Sequence, residues 1–328
     1  MGQYTITTFV PLGNCGFPGE LLPFSLNDNV RIVCGESGYA EWYPKVQLVA
    51  DALLTCGDIS AIERMHLRLA AGFLVGAFSS GGSGDISERI AVVASYEHLM
   101  DWALWSLYLA GSGENIFWRT GDQVHAAGVY SEILCDRSAI RRVMRFPYLY
   151  DPIECGKPRN AWANDRVLGL AGEIFRAFQA KDIVVPARVA AANDIYRLLV
   201  TLDPRKTAAR LQLAVTALEA FYIGQDRMYL WGKPAKAAIR HFVGCGVEES
   251  LFERLHCFRN AAVHQGGTPW FGPNGDGAQA TRICTETENL LRRTMFTAVL
   301  NLPDVVKKIG GGLLDCAPQS RLDAPPLA

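Results

Sequence analysis

The hydrophobic positions in the first half of the chain follow short, interrupted patterns. β-Prone runs are separated by Gly, Pro and Asn, which predicts strands joined by turns. Longer apolar segments between them predict helices. These patterns predict a mixture of α-helices and β-strands in the first half of the chain. The first 45 residues or so are predicted to be rich in strands, with strands at Tyr4–Pro11 and Asn29–Cys34. A helix is predicted from Ile59 to about Phe78, with Asp58 or Ser60 as its cap, followed by a flexible loop at 79–85. A second helix is predicted at Glu88–Leu109, and short strands within Phe117–Leu134.

Beyond a Pro-rich stretch at 146–160, the spacing of apolar residues becomes helical. Leu211, Val215, Leu218 and Tyr222 recur at helical intervals, so we expect them to form one buried stripe. The preceding Asp203-Pro204 supplies a cap and a proline at the first helical position. The predicted helices are Asp165–Ala180, Ala187–Leu202, Asp203–Gly224, Pro234–Val243, Val247–Val263 and Gln279–Leu300.

These patterns predict an α+β protein of two domains. A mixed α/β domain is expected over residues 1–150, and an all-α helical bundle over residues 160–304. The Gly- and Pro-containing end of the sequence, residues 305–328, is expected to be a flexible tail.

Charge and cysteine content narrow the possible functions. The net charge of −1 argues against a general polyanion binder. From Asp151 onward there are 22 Lys and Arg against 18 Asp and Glu, so any contact with nucleic acid is expected to fall in the second half. Nine cysteines with no C-x-x-C spacing predict reduced thiols, with no disulfide framework and no zinc site. No signal peptide or membrane span is recognisable, so we expect a cytoplasmic protein.

The segment FERLHCFRNAAVHQGG carries the candidate chemistry. Arg259 can fork onto phosphate oxygens, and His264 can transfer protons near neutral pH. Because successive helical residues turn by about 100°, this helix separates into two faces. The apolar face holds Leu251, Leu255, Phe258 and Ala262; the opposite face holds His256, Asn260 and His264, with Arg259 on the flank.

A polar face that points away from its own core faces solvent or a partner. Two such helices around a two-fold axis would build a composite site from two Arg259 and two His264 residues. A structural interpretation fits the same spacing. His264 would then complement the helix dipole, and Arg259 would pair with Glu253 or Glu248.

The order of these helices resembles the HEPN superfamily, most closely its Apea-like branch. The long helix LQLAVTALEAFYIG, a short helix, the motif helix and a final amphipathic helix carry the resemblance, over about residues 185–302. The family's arginine, adjacent polar residue and histidine map onto Arg259, Asn260 and His264, and Gln265-Gly266 matches the following turn. Gly266 stands where related toxins carry a regulatory tyrosine, so that form of regulation is not expected here.

The resemblance implies a metal-independent endoribonuclease that needs no cofactor, works as a homodimer and is common in toxin and anti-phage systems. The RNA 2′-hydroxyl would attack the adjacent phosphorus, with His264 as general base or acid. Arg259 would stabilise the transition state, and Asn260 would orient the phosphate or the histidine. RNA, with tRNA as one candidate substrate, is the expected partner. The first half would act as a sensor or substrate-selecting domain.

Other residues have both a functional and a structural interpretation. His256 and Glu219 are candidate auxiliary groups, or else interface packing and helix surface. Trp270 and Phe271 could stack unpaired bases or cover the bundle core. Candidate phosphate-steering charges, which are also ordinary surface charges, are Arg254, Arg292 and Arg293. The alternative function is a non-catalytic HEPN module that binds a nucleotide or a protein as sensor or scaffold.

Overall fold

In the part of the chain that the structure describes, one antiparallel sheet is combined with a majority of helical residues, which is compatible with the predicted α+β class. The chain divides into two compact units, Met1–Arg176 and Ala177–Ala328. The predicted boundary at 146–160 and the predicted tail lie outside the described residues. The computed structural model describes residues 2–12, 24–25, 28–61, 63–64, 67, 72–82, 86–113, 128–135, 138–145, 165–179, 187–200, 202, 206–222, 239, 243, 251, 253–255, 257–258 and 277–300.

The first unit is built on a six-stranded sheet in the order β2-β3-β4-β1-β5-β6, and every neighbouring pair is antiparallel. β1 is an interior strand, because it pairs with β4 along one edge and β5 along the other. The strands are β1 (Gly2–Leu12), β2 (Phe24–Ser25), β3 (Val30–Cys34), β4 (Gly72–Gly82), β5 (Gly128–Cys135) and β6 (Ser138–Arg145).

Two helices cover opposite faces of this sheet. Helix α1 (Gly35–Cys56) packs Trp42 and Val46 into a core with Phe9, Phe73 and other residues of one face. Helix α2 (Ile86–Gly113) contacts β1, β4 and β5 from the other side, where Tyr96 stacks on Phe78. Side chains alternate between the faces of a strand, so β1 is buried on both sides from Thr8 to Leu12 and β4 from Gly72 to Gly76.

The predicted helix from Ile59 to Phe78 is correct only at its start. Ser60 caps a helical segment, because its Oγ accepts from the Glu63 amide at 3.1 Å while Glu63 accepts from the Ser60 amide at 2.7 Å. From Gly72 the chain is instead strand β4, which also includes residues 79–82 of the predicted loop. An apolar run buried on both faces carries no alternation, so its periodicity resembles that of a buried helix.

The strand-rich assignment of the first 45 residues is wrong from Gly35 onward, where α1 begins. Pro44 lies inside this helix, although proline removes a backbone donor and normally argues against helix. Burial of Trp42, Val46 and Val49 against the sheet outweighs that local preference. The predicted strands β1 and β3, the helix α2 and the strand β5 are confirmed, while β6 was not anticipated.

Four of the six predicted helices of the second half are confirmed, although the one predicted from Asp203-Pro204 begins at Thr207. The predicted helices Pro234–Val243 and Val247–Val263 lie largely outside the described residues. Helix α5 packs against α4 and α6, and it buries the predicted stripe of Leu211, Val215, Leu218 and Tyr222. Helical residues also occur at 239, 243 and within 251–258. In the part of the chain that the structure describes, no helix is long and apolar enough to cross a membrane. The bounds are α3 (Asp165–Gln179), α4 (Ala187–Val200), α5 (Thr207–Tyr222) and α6 (Gly277–Leu300).

Candidate functional site

The helical segment that leads into the motif has one buried side and one exposed side. Leu251, Leu255 and Phe258 are buried, as predicted from their spacing. Glu253 and Cys257 are exposed. The predicted motif residues Arg259, Asn260 and His264, the predicted auxiliary His256, and the predicted stacking residues Trp270 and Phe271 lie outside the described residues.

The exposed residues mark the angular sector in which the sequence places the motif. At about 100° per residue, Glu253 and Cys257 stand roughly 200° and 240° from Leu251. The same count, taken from the sequence, gives about 180° for Asn260 and about 220° for His264. The sequence therefore predicts that Asn260 and His264 share the exposed sector, whereas the same count gives about 80° for Arg259, on the flank of the buried side.

Arg254 contacts α6 through a carboxylate. Its Nη2 donates to Glu286 Oε2, and the other oxygen of Glu286 accepts from Arg282 Nε at 2.7 Å. The Arg254 and Glu286 side chains are 21% and 27% exposed, whereas that of Arg282 is 67% exposed. The residue predicted to steer phosphate is thus already engaged by an acidic partner. Sequence reasoning missed Glu286, whose only local signal is its position four residues after Arg282.

Arg293 also contacts the backbone that precedes the motif. Its Nη2 donates to the carbonyl oxygen of Val243, and burial lowers the pKa of this guanidinium. Arg292, its neighbour, is only 4% exposed. Glu219 is half-buried in the last turn of α5, three residues before Tyr222. Roles for these residues in RNA contact or catalysis stay predictions.

A buried network fixes α5 against α6. Arg210 forms a bidentate pair with Glu288, with Nε–Oε1 at 2.7 Å and Nη2–Oε2 at 2.8 Å. Its Nη1 donates to the carbonyl oxygens of Leu199 and Leu202, at the end of α4. The guanidinium therefore joins three helices, and its donors are matched to acceptors as a buried charge requires.

Two further ionisable groups in this bundle are held neutral. Burial raises the pKa of the Cys284 thiol, which donates to Glu288 Oε1 at 3.3 Å. Burial likewise raises the pKa of Tyr222, whose hydroxyl lies 3.0 Å from Thr294 Oγ1. Neither group is suited to act as a nucleophile near neutral pH. Among the described residues, no three His, Cys, Asp or Glu side chains form a group that could hold a metal ion.

The first unit has a separate polar cluster beneath α2. Gly76, Thr8, Ser131 and Arg142 are successive cross-strand partners, so they form one row across four strands. Glu97 of α2 lies over this row: its Oε1 accepts from Ser131 Oγ at 3.2 Å and lies 2.8 Å from Arg142 Nε.

Glu97 is fully buried, and within the described structure its Oε2 has no hydrogen-bond partner. Burial raises the pKa of this carboxyl, while Arg142 and Ser131 act against that shift. The sequence offered one indication of this cluster: Glu97 is a charged residue in a mostly apolar helix.

Comparison with known proteins does not identify a family. No family model, no curated protein and no solved structure matches this chain. The HEPN resemblance of residues 185–302 therefore stays a prediction that rests on the motif and the order of the helices.

Proposed function

We propose that this protein is a metal-independent endoribonuclease whose active site is assembled from two copies of the motif at a homodimer interface. The observation that carries the proposal is the two-sided burial of the segment entering the motif. Leu251, Leu255 and Phe258 are buried, whereas Glu253 and Cys257 are exposed. The same helical periodicity, continued along the sequence, is expected to put Asn260 and His264 on the exposed side.

The proposed chemistry uses only groups of the chain and the RNA. Each protomer contributes one Arg259 and one His264, so the dimer places two bases or acids and two cations around one phosphate. One histidine removes the proton of the 2′-hydroxyl, and its counterpart protonates the departing 5′-oxygen. The arginines stabilise the additional negative charge of the transition state, and Asn260 orients the phosphate.

The proposal predicts RNA-specific, EDTA-resistant cleavage that depends on the motif. Wild type, His264→Ala and Arg259→Ala are incubated with total RNA and with tRNA in excess EDTA. Each substitution should lower the cleavage rate by about 100-fold or more. Fragments from wild type should end in a 2′,3′-cyclic phosphate or a 3′-phosphate. Gln212→Ala, an exposed substitution on α5 and so outside the motif helix, should cut like wild type.

DNA of the same sequence tests the chemistry, because it lacks the attacking hydroxyl. Cleavage of this DNA, or equal RNA cleavage by wild type and His264→Ala, would contradict the proposed mechanism. If none of the proteins cuts RNA but wild type binds nucleotide or a protein partner, the non-catalytic HEPN function would be favoured.

A further inference from the structure

We infer that Arg254 and Glu286 are positioning residues: their ion pair holds the helix that enters the motif in its orientation on α6. This inference builds on the proposed function. It assigns Arg254 a different role from the phosphate contact that its charge suggests in the sequence.

The first argument is the way Glu286 is used. Each of its two carboxylate oxygens accepts from a different guanidinium, Oε2 from Arg254 and Oε1 from Arg282. Arg282 is four residues away on α6 itself and its side chain is 67% exposed, so its pair with Glu286 contributes little. Oε2 of Glu286 accepts from the less exposed Arg254, which belongs to the other helix. Charge-assisted bonds of this kind are directional as well as strong.

The second argument is that the incoming chain has another anchor on the same face of α6. Arg293 stands seven residues after Glu286, about two helical turns along, and it donates to the Val243 carbonyl. The two contacts run antiparallel to α6. Val243 contacts Arg293 near the end of α6, and Arg254, further along the chain, contacts Glu286 nearer its start. The chain is therefore attached to one face of α6 on both sides of residues 244–250, at two points about two helical turns apart.

The third argument is the place of Arg254 around its helix. It lies about 60° from Leu251, on the edge of the buried face, and its side chain is 21% exposed. Leu251, Leu255 and Phe258 allow the helix to pack but are apolar and non-directional. The ion pair between Arg254 and Glu286 fixes the rotation of this helix about its own axis. An error in that rotation would displace Arg259 and His264, five and ten residues further on.

Hydrogen exchange of the peptide covering residues 250–258 tests the anchoring without any use of nuclease activity. Arg254→Ala should accelerate exchange there by about fivefold, and Glu286→Gln should act in the same direction. Arg254→Lys, which keeps the charge, should restore much of the protection. Arg282→Gln is the matched control, because it removes the other, more exposed partner of the Glu286 carboxylate. It should change the exchange rate of the 250–258 peptide by less than about twofold. Unchanged exchange in both Arg254→Ala and Glu286→Gln would overturn the inference.

Steady-state cleavage of RNA separates positioning from contact. As positioning residues, Arg254→Ala and Glu286→Gln should both lower kcat by about 10- to 100-fold with little change in KM. If Arg254 instead contacts phosphate, removing the acidic Glu286 should lower KM and leave kcat intact or raised, and Arg254→Ala should reduce the salt dependence of binding. That pattern would overturn the inference. Absence of cleavage by wild type would overturn the proposed function, and the exchange measurement would still decide whether the pair anchors the helix.

Discussion

Glu97 is a carboxylate held where water cannot reach it. Ser131 and Arg142 both engage its Oε1, and burial outweighs them, so the pKa of the carboxyl is raised from its ordinary value of 4.5. The folded protein therefore binds this proton more readily than the unfolded chain does. Protonation stabilises the fold, and that stabilisation is complete below the unfolded pKa and lost as the pH rises through the folded pKa.

This sign gives a prediction for Glu97→Gln, which removes the titration and keeps the shape. The free energy of unfolding of wild type, relative to Glu97→Gln, should fall as the pH is raised from about 4.5 toward neutrality, with a slope of at most about 1.4 kcal/mol per pH unit. Urea unfolding of both proteins across this range measures the difference. A flat difference would mean that the pair with Arg142 offsets the cost of burial, and a difference that grows with pH would mean that the pair outweighs it.

At the scale of elements, the strand β4 shows where local sequence is insufficient. Its residues Phe73–Gly76 are buried on both faces because α1 and α2 cover opposite sides of the sheet. Gly76 lies in the middle of this strand with no room for a side chain. A Cβ there would meet the Phe78 ring at 2.5 Å and Thr8 Oγ1 at 2.7 Å. The ring cannot easily move, because it is stacked on Tyr96 at a centroid distance of 3.9 Å.

Two glycine-to-alanine substitutions should consequently have opposite effects. Gly76→Ala should lower the free energy of unfolding by about 1–3 kcal/mol through overpacking. Gly169→Ala, within α3, meets nothing within 4 Å and should raise it by about 0.5–1 kcal/mol, because alanine favours helix and restricts the unfolded chain. Chemical denaturation of both variants measures the contrast. Equal destabilisation by the two would contradict this account of β4.

The elements of the second half were the more predictable ones, for a physical reason. One apolar stripe of local sequence marks helices such as α5 and α6, because their backbone hydrogen bonds join near neighbours. The predicted start of α5 at Asp203-Pro204 is wrong, since the helix begins at Thr207 and Lys206 before it is not helical. Strand β4 depends on partners far away in the sequence, so its local pattern is ambiguous. The pair Arg254–Glu286 joins residues 32 positions apart and could not be found from spacing. The motif Arg259, Asn260 and His264 was recognised from sequence, but its geometry lies outside the described residues.

At the scale of the whole molecule, the proposed homodimer can be tested through an exposed thiol. Cys257 lies in the angular sector that the sequence assigns to Asn260 and His264, so two copies should approach each other across the proposed two-fold axis. A short bismaleimide should therefore cross-link wild type into a covalent dimer. Cys257→Ser should abolish that dimer, as judged by denaturing gel electrophoresis.

Cys56, the last residue of α1, provides the matched control because it is also exposed. Cys56→Ser should cross-link as wild type does. Cross-linking that persists in Cys257→Ser and disappears in Cys56→Ser would place a dimer contact on the first unit instead, and monomers by light scattering would contradict the composite site.

The interior position of β1 also has a consequence for synthesis of the protein on the ribosome. Phe9 needs Val75 on one side and Tyr130 on the other, so both neighbours of the strand are made after it. At a translation rate of about 5–20 residues per second, the time between synthesis of β1 and synthesis of β5 is on the order of 10 s. During that time Ile6, Val10 and Leu12 have no complete sheet to enter. We therefore expect the nascent chain to need protection by a chaperone until residue 135 has emerged.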